Sequence, residues 1–148
     1  MNIIVDSNII FSALIKSENK FRELIMFNER FNFISSNFLI VELFKLKEKL
    51  MKFSKLSELD LLSSYHLLLN QIDFVNDNLI SKNNIKKAYD LCHSIDVKDT
   101  IFVALTIEFD GLLWTADKKL IKGLHSKGFN SFFNIDDNFH TSDFYYEV

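Results

Sequence analysis

At 148 residues, with 48% hydrophobic and 25% charged residues, the chain has the composition of one globular domain rather than a disordered segment. The absence of proline and a count of only three glycines exclude a long flexible linker, and a net charge of −3 excludes a chain that is basic throughout. Any hold on nucleic acid must therefore come from a local patch of lysine and arginine.

Cys92 is the single cysteine, which excludes an internal disulfide and a four-cysteine zinc site. No apolar run approaches the roughly 18 residues of a membrane-spanning helix, so no membrane partner is expected. The opening residues "MNIIVD" lack the basic start and long apolar stretch of a secretion signal, so the expected compartment is the cytoplasm.

In chain order, "NIIVD" (2–6) reads as a strand buried on both faces, of the kind found in parallel sheets. "SNIIFSALI" (7–15) and the amphipathic "KFRELIMF" (20–27) read as helices, and "FNFIS" (31–35) as a second strand. "NFLIVELFKLKEKLMKF" (37–53) reads as one long helix, with Leu39, Leu43, Leu46 and Leu50 at helical spacing and lysines on other faces. A helix over 57–72 follows, with Ser57 as its cap, then a short strand at 73–76 and a helix over 83–95. "KDTIFVALTIEF" (98–109) is apolar nearly all round, which predicts a buried helix, ended at Asp110-Gly111 by a glycine in the left-handed turn. "LLWT" (112–115) reads as a buried strand, a helix follows over 118–126 and is closed by Gly128, and "FNSFF" (129–133) is a candidate last strand. Strands alternating with helices predict an α/β domain with a parallel central sheet. The domain is expected over 1–135, with an acidic, aromatic tail over 136–148.

In open parallel sheets ligands sit beyond the carboxyl ends of the strands. Asp6 and Asp117 follow two of the predicted strands, and Asp96 and Asp99 stand at the start of the buried helix. Each aspartate also reads simply as a helix cap, worth about 1 kcal/mol. Glu42 fits a capping role least well, because at about 100° per residue it lies only about 60° from the centre of the leucine stripe. A glutamate there loses hydration unless it finds a partner such as Lys45, solvent or a metal. Several carboxylates converging on one cleft would repel and raise one another's pKa, and a divalent cation removes that conflict. Mg²⁺ and Mn²⁺ take hard oxygen ligands and engage phosphate, so Asp6, Glu42, Asp99 and Asp117 point to metal-dependent phosphodiester hydrolysis.

The segments "IVDSNIIFSAL" (4–14), "VEL" (41–43) and "DVKDTIFVALTIEFDGLLWTADKKL" (96–120) resemble the PIN-domain ribonucleases, which include toxins of bacterial toxin–antitoxin pairs. The matching residues are Asp6-Ser7-Asn8 after the first strand, Glu42 in a helix, Asp99 ahead of Ala104-Leu105, and Asp117 after Leu113-Trp114-Thr115. The resemblance implies a three-layer α/β/α domain around a parallel sheet of four to five strands. It also implies an endoribonuclease using Mg²⁺ or Mn²⁺, with RNA as substrate, a small antitoxin protein as partner and a homodimer as a candidate assembly. Asp6, Asp99 and Asp117 would ligate the metal, Asp96 being the second choice, while Glu42 would complete the shell or orient the attacking water. Ser7, Asn8 and Thr115 are candidate supporting hydrogen-bonders, equally readable as turn and cap residues. Lys98, Lys118, Lys119 and Lys122 are candidate phosphate contacts or solvated helix faces.

Two other functions compete. A PIN-like module could bind RNA or protein without cleaving, and a phosphoacceptor receiver domain also places aspartates at strand ends. The receiver reading lacks paired acids after the first strand and a central strand-end phosphoacceptor near Phe74. The histidines His66, His93, His125 and His140 show no zinc spacing, Cys92-His93 point about 100° apart on a helix, and no glycine-rich phosphate loop or serine elbow is present. Phe11, Phe21 and Phe44 are candidates for an exposed partner groove.

Overall fold

The β-branched residues that open the chain form β1 (Asn2–Val5), and Ile3, Ile4 and Val5 are fully buried, as a strand covered on both faces requires. A computed structural model describes residues 1–15 and 20–138. Within them the elements run β1, α1 (Ser7–Ile15), α2 (Lys20–Phe27), β2 (Asn32–Ser36), α3 (Phe38–Lys45), α4 (Lys47–Ser54), α5 (Glu58–Leu69) and β3 (Ile72–Val75). They continue with α6 (Lys82–Cys92), α7 (Thr100–Glu108), β4 (Leu112–Trp114), α8 (Lys118–Ser126) and α9 (Ile135–Asn138), with single 3₁₀ turns at Asp77–Leu79 and Val97–Asp99. The four strands pair in parallel in the order β3-β2-β1-β4, and helices cover both faces in a three-layer α/β/α domain.

That order decides where a site can form. From β1 the chain crosses to β2 and β3 on one side, then returns to place β4 on the other side of β1. The carboxyl ends of β1 and β4 therefore flank the point where the winding reverses, the natural crevice of a doubly wound sheet. Asp6 and Thr115 are the residues that immediately follow these two strands.

The core agrees with the sequence pattern. On one sheet face Trp114 packs against Phe21, Phe33 and Phe133, at ring separations of 5.8, 6.1 and 5.3 Å. Phe21 is thus a core-packing ring, and Phe11 also packs on the core, while Phe44 stays exposed. Helix α7 is buried through Phe102, Val103, Ala104, Leu105 and Thr106, and the Thr106 hydroxyl donates back to the Phe102 carbonyl at 2.8 Å. The Ser57 cap of α5 forms as expected, its oxygen accepting the Asp60 N–H at 3.1 Å. Among the described residues no helix is long and apolar enough to cross a membrane.

Three local expectations are corrected. The segment 37–53 is two helices that meet at Leu46, whose φ of −93° and ψ of 6° leave the helical range. The break lets both halves pack on α1, burying Leu39, Leu43 and Leu50 and leaving Leu46 half-buried. After α7 the left-handed residue is Asp110, with φ of 46°, and not Gly111. Gly111 is needed for a close approach, because a Cβ there would lie 2.7 Å from the Asn2 carbonyl oxygen. Gly128 does adopt the left-handed conformation, with φ of 86°. The expected strand over 129–133 shrinks to one parallel bridge between Leu113 and Phe132, because Asn134 turns the chain into α9 by accepting the Asp136 N–H. The tail expected from 136 begins within α9, and residues 139–148 lie outside the described residues.

Candidate active site

Two turns are sewn together at the reversal point. The Asp6 backbone N–H donates to the Trp114 carbonyl at 3.1 Å, which carries the β1–β4 ladder one residue beyond the strand. The Asp6 side chain is only 4% exposed. Its Oδ1 accepts the Ser7 backbone N–H at 2.6 Å, and its Oδ2 accepts the Thr115 hydroxyl at 2.8 Å. Thr115 in turn accepts from the Asn8 amide at 3.3 Å and from the Asp117 backbone N–H at 3.2 Å. One hydroxyl proton and two lone pairs are all this side chain has, and all are used. Asn8 Oδ1 closes the seam by accepting the Ala116 N–H at 3.2 Å.

The helices bring the remaining acids to this point. Glu42, half-buried on α3, accepts the Ser7 hydroxyl at 2.7 Å, and the same hydroxyl lies 3.3 Å from Asp6 Oδ1. The stripe-edge position read from the sequence is therefore a position aimed at Asp6. Asp117 caps α8, with Oδ1 accepting the Leu120 N–H at 3.1 Å, and keeps its second oxygen free of that bond. Asp99 ends the 3₁₀ turn ahead of α7 and makes no side-chain cap.

The electrostatics report one cluster. Burial pushes the Asp6 carboxyl up to about 6; the bonds from Thr115 and Ser7 hold it down, and the Glu42 charge adds to the rise. Asp99 is pushed up to about 7, first by burial and then by the charges of Asp6, Asp96, Asp117 and Glu42. Asp99 therefore senses every other candidate acid. Among the described residues, no ion pair joins any of the four acids to a lysine or arginine.

Against known families, the chain matches the PIN domain over residues 4–135, a span that contains all four acids. The chain belongs to the PIN-domain family. This PIN domain has a nuclease-type fold, and its family is generally one of metal-dependent ribonucleases. No curated protein matches the chain.

The donor set of this PIN domain fits a divalent cation: hard carboxylate oxygens with uncompensated mutual repulsion. Among the described residues no three acidic, histidine or cysteine side chains stand at the spacing that grips an ion, so the four acids are coupled through charge rather than contact. Asp96 is exposed and caps the 3₁₀ turn by accepting the Lys98 N–H at 3.0 Å. Asp99, three residues on, makes no such side-chain cap. Lys98, Lys118, Lys119 and Lys122 are all exposed.

One supporting residue escapes the sequence reading. Buried Ser35, in β2, donates its hydroxyl to the Val5 carbonyl at 2.7 Å and so fixes the strand end that carries Asp6. The only sequence signal for it is a polar pair, Ser35-Ser36, closing an apolar strand. Cys92 is buried, its thiol pushed up to about 12 chiefly by burial, which leaves it without a thiolate at neutral pH. His93 stacks on Tyr89 outside the cleft.

Proposed function

We propose that this chain is an endoribonuclease that hydrolyses RNA phosphodiester bonds with Mg²⁺ or Mn²⁺, acting in the cytoplasm as the toxin of a toxin–antitoxin pair. The observation that carries the nuclease reading is the electrostatic coupling of Asp99 to Asp6, Asp117 and Glu42 at the sheet's reversal point. Asp6, Asp99 and Asp117 would hold the metal. When bound, it would supply a water acidic enough to attack at neutral pH and would offset charge on the phosphoryl oxygens.

The protein's own groups do the rest. Asp6 is pre-positioned by Thr115 and Ser7, so little reorganisation is needed as charge shifts in the cleft. Glu42, oriented by the Ser7 hydroxyl, aligns the attacking water and takes up its proton. Lys118 and Lys119, at the start of α8 beside Asp117, draw the RNA backbone toward a centre that would otherwise repel it. Lys98 and Lys122 extend that basic rim. A small antitoxin protein is the expected partner in the cell, and a homodimer is the assembly to test for.

Purified protein supplied with Mn²⁺ or Mg²⁺ should cut single-stranded RNA, and Asp6→Asn should not. If both proteins are inert toward every RNA and metal titration shows no binding, the nuclease reading fails and a PIN module that only binds RNA or protein takes its place. The toxin role has its own test. Expression of the wild-type chain should arrest bacterial growth, expression of Asp6→Asn should not, and normal growth with a fully active enzyme would leave a solitary ribonuclease.

A further inference from the structure

The outer face of α6 joins aromatic rings to positive charge. At about 100° per residue, Lys82, Lys86, Tyr89 and His93 fall within about 60° of one another around the helix. All four are exposed, while Ala88 and Cys92 turn inward to the core. The Tyr89 and His93 rings stack, with centroids 5.2 Å apart and planes at 19°. A contact of 2.9 Å between His93 Nδ1 and the Tyr89 carbonyl oxygen steadies the imidazole in that pose. Tyr89 is still 48% exposed, so the pair is a ring stack open to solvent. The helix carries Lys82, Lys86 and Lys87 against Asp90 alone, which makes it basic on an otherwise acidic chain.

We propose that this strip is a second contact site for a single-stranded RNA, with a base stacking on the Tyr89–His93 pair and Lys82 and Lys86 holding the flanking phosphates. The choice of RNA rests on the ribonuclease reading above. The pairing of rings with lysines selects a nucleic-acid strand. Every base has a π-face that can extend a ring stack, and lysines one helical turn apart neutralise successive backbone charges. A duplex keeps its bases stacked inside and offers the rings no face, so the occupant is a single strand.

The strip leads toward the acids. Helix α6 packs on the 3₁₀ turn that carries Lys98 and Asp99. The Ile95 and Asp96 N–H groups donate to the Cys92 carbonyl at 2.8 and 2.9 Å, and the Asp99 N–H donates to the Asp96 carbonyl at 3.2 Å. Two hydrogen-bonded turns therefore separate His93 from Asp99, and exposed Lys98 lies between them along the chain. Lys127 fixes this junction by donating to the Leu91 carbonyl at 2.8 Å and to the Ser94 hydroxyl. Ile95 packs so closely on α8 that a Cβ at Gly123 would lie 2.5 Å from its Cδ1. Lys119 stands one turn before Gly123, on the same face of α8. The path from His93 to Asp99 spans at most about 20 Å of chain. A stacked strand advances about 3.4 Å per nucleotide, so about six nucleotides reach from the rings to the acids.

Fluorescence anisotropy of the full chain with a labelled single-stranded RNA of about 12 nucleotides, in chelator so that nothing is cut, tests the strip. Tyr89→Ala should weaken binding about tenfold, and Tyr89→Phe, which keeps the ring, by less than about twofold. Lys86→Gln should weaken binding and reduce the slope of log Kd against log salt by about 0.7, whereas Lys49→Gln on exposed α4 should leave both unchanged. An abasic strand of the same length should bind wild type and Tyr89→Ala alike. These are exposed helix positions, and circular dichroism verifies that each variant is folded. No binding by wild type, equal binding by wild type and Tyr89→Ala, an equal loss on the abasic strand, or an equal effect of Lys49→Gln overturns the proposal. Tighter binding of a duplex or of single-stranded DNA overturns it as well. The two readings fail separately. Tyr89-dependent binding with no cleavage when Mn²⁺ is added removes the nuclease and keeps the strip, and cleavage with Tyr89-independent binding removes the strip alone.

Discussion

Asp6 and Asp117 stand at strand ends with carboxylates tied by hydrogen bonds, whereas Asp99 stands at a helix start and its side chain makes no cap bond. The strand-end pair belongs to a seam in which Thr115 alone makes three bonds, and nothing in it can rotate without breaking a partner. Asp99 is held only by burial and by the position of the turn that carries it. The difference separates two tasks. In the proposed nuclease, the fixed half would set where a cation sits and the uncapped carboxylate would complete its shell. Keeping Asp99 free has an electrostatic cost, visible in a carboxyl pushed up to about 7 while the bonded Asp6 reaches about 6.

The largest effect should follow from the fixed half. Asp6→Asn preserves the shape and the acceptor for Ser7 but removes the charge around which the seam is built. Its loss of RNA cleavage should exceed the roughly 100-fold ceiling of a change one shell out from a metal. Single-turnover cleavage with saturating Mn²⁺ checks this. A variant that regains full rate at high metal would show that Asp6 is not the anchor.

Asp99→Asn should cost a similar factor in activity and yet stabilise the metal-free protein. The sign follows from the proton. A carboxyl raised from 3.8 to about 7 in the fold is no burden below pH 4, where it is protonated folded or unfolded. Stability is lost as pH rises from about 4 to 7, because the fold must then accept a charge it disfavours. Removing the charge should raise stability at pH 8 by about 1 kcal/mol, discounted for partial exposure, and change little at pH 4. Calorimetry at both pH values, with chelator present, measures it. Stabilisation at pH 4 alone would contradict the electrostatic account.

Thr115→Val comes next, since it keeps the shape of the strand end and removes the hydroxyl. Asp6 loses its strongest side-chain donor, so its carboxyl should titrate higher and the acid limb of the pH–rate profile should move up. Cleavage should fall about 10–100-fold, with about 1–3 kcal/mol lost from stability as Asp6, Asn8 and Asp117 lose a partner. An unchanged pH profile would mean that Thr115 serves β4 and α8 but not Asp6.

Much of this was legible in the sequence where local rules and tertiary needs agree. Helix α8 spans Lys118–Ser126 as its pattern predicts, because Asp117 caps one end and Gly128 turns the other. The buried character of α7 and the parallel strand β1 follow from apolar runs alone. Legibility failed where packing overrides periodicity. The leucine stripe of 37–53 fits one straight helix, yet packing on α1 breaks it at Leu46. Gly111 reads as a helix terminator, but Asp110 takes the left-handed turn, and Gly111 instead permits a close approach to Asn2. In the candidate site, the order of the acids along the chain is readable from the sequence, while the wiring between them is not. Ser7 to Glu42 and Thr115 to Asp6 join residues 35 and 109 positions apart, and no local pattern encodes such pairs.

The smallest expected effect decides between neighbours. Asp96 and Asp99 are three residues apart, and both were candidate ligands. Asp96 is exposed and holds the Lys98 N–H, while Asp99 has no cap to hold. Asp96→Ala should therefore cost about 1 kcal/mol of stability, the worth of a cap. Its cleavage should fall only slightly, through a looser 3₁₀ turn beneath Asp99, and loss of the Asp96 charge should let the Asp99 carboxyl titrate lower. Asp96→Asn separates the two contributions, since asparagine still caps but carries no charge. If Asp96→Asn weakens Mn²⁺ binding as much as Asp99→Asn does, Asp96 belongs to the metal shell, and the division between a capping and an unbonded aspartate fails. If only Asp99→Asn does so, the hydrogen bond that engages Asp96 is what leaves Asp99 available.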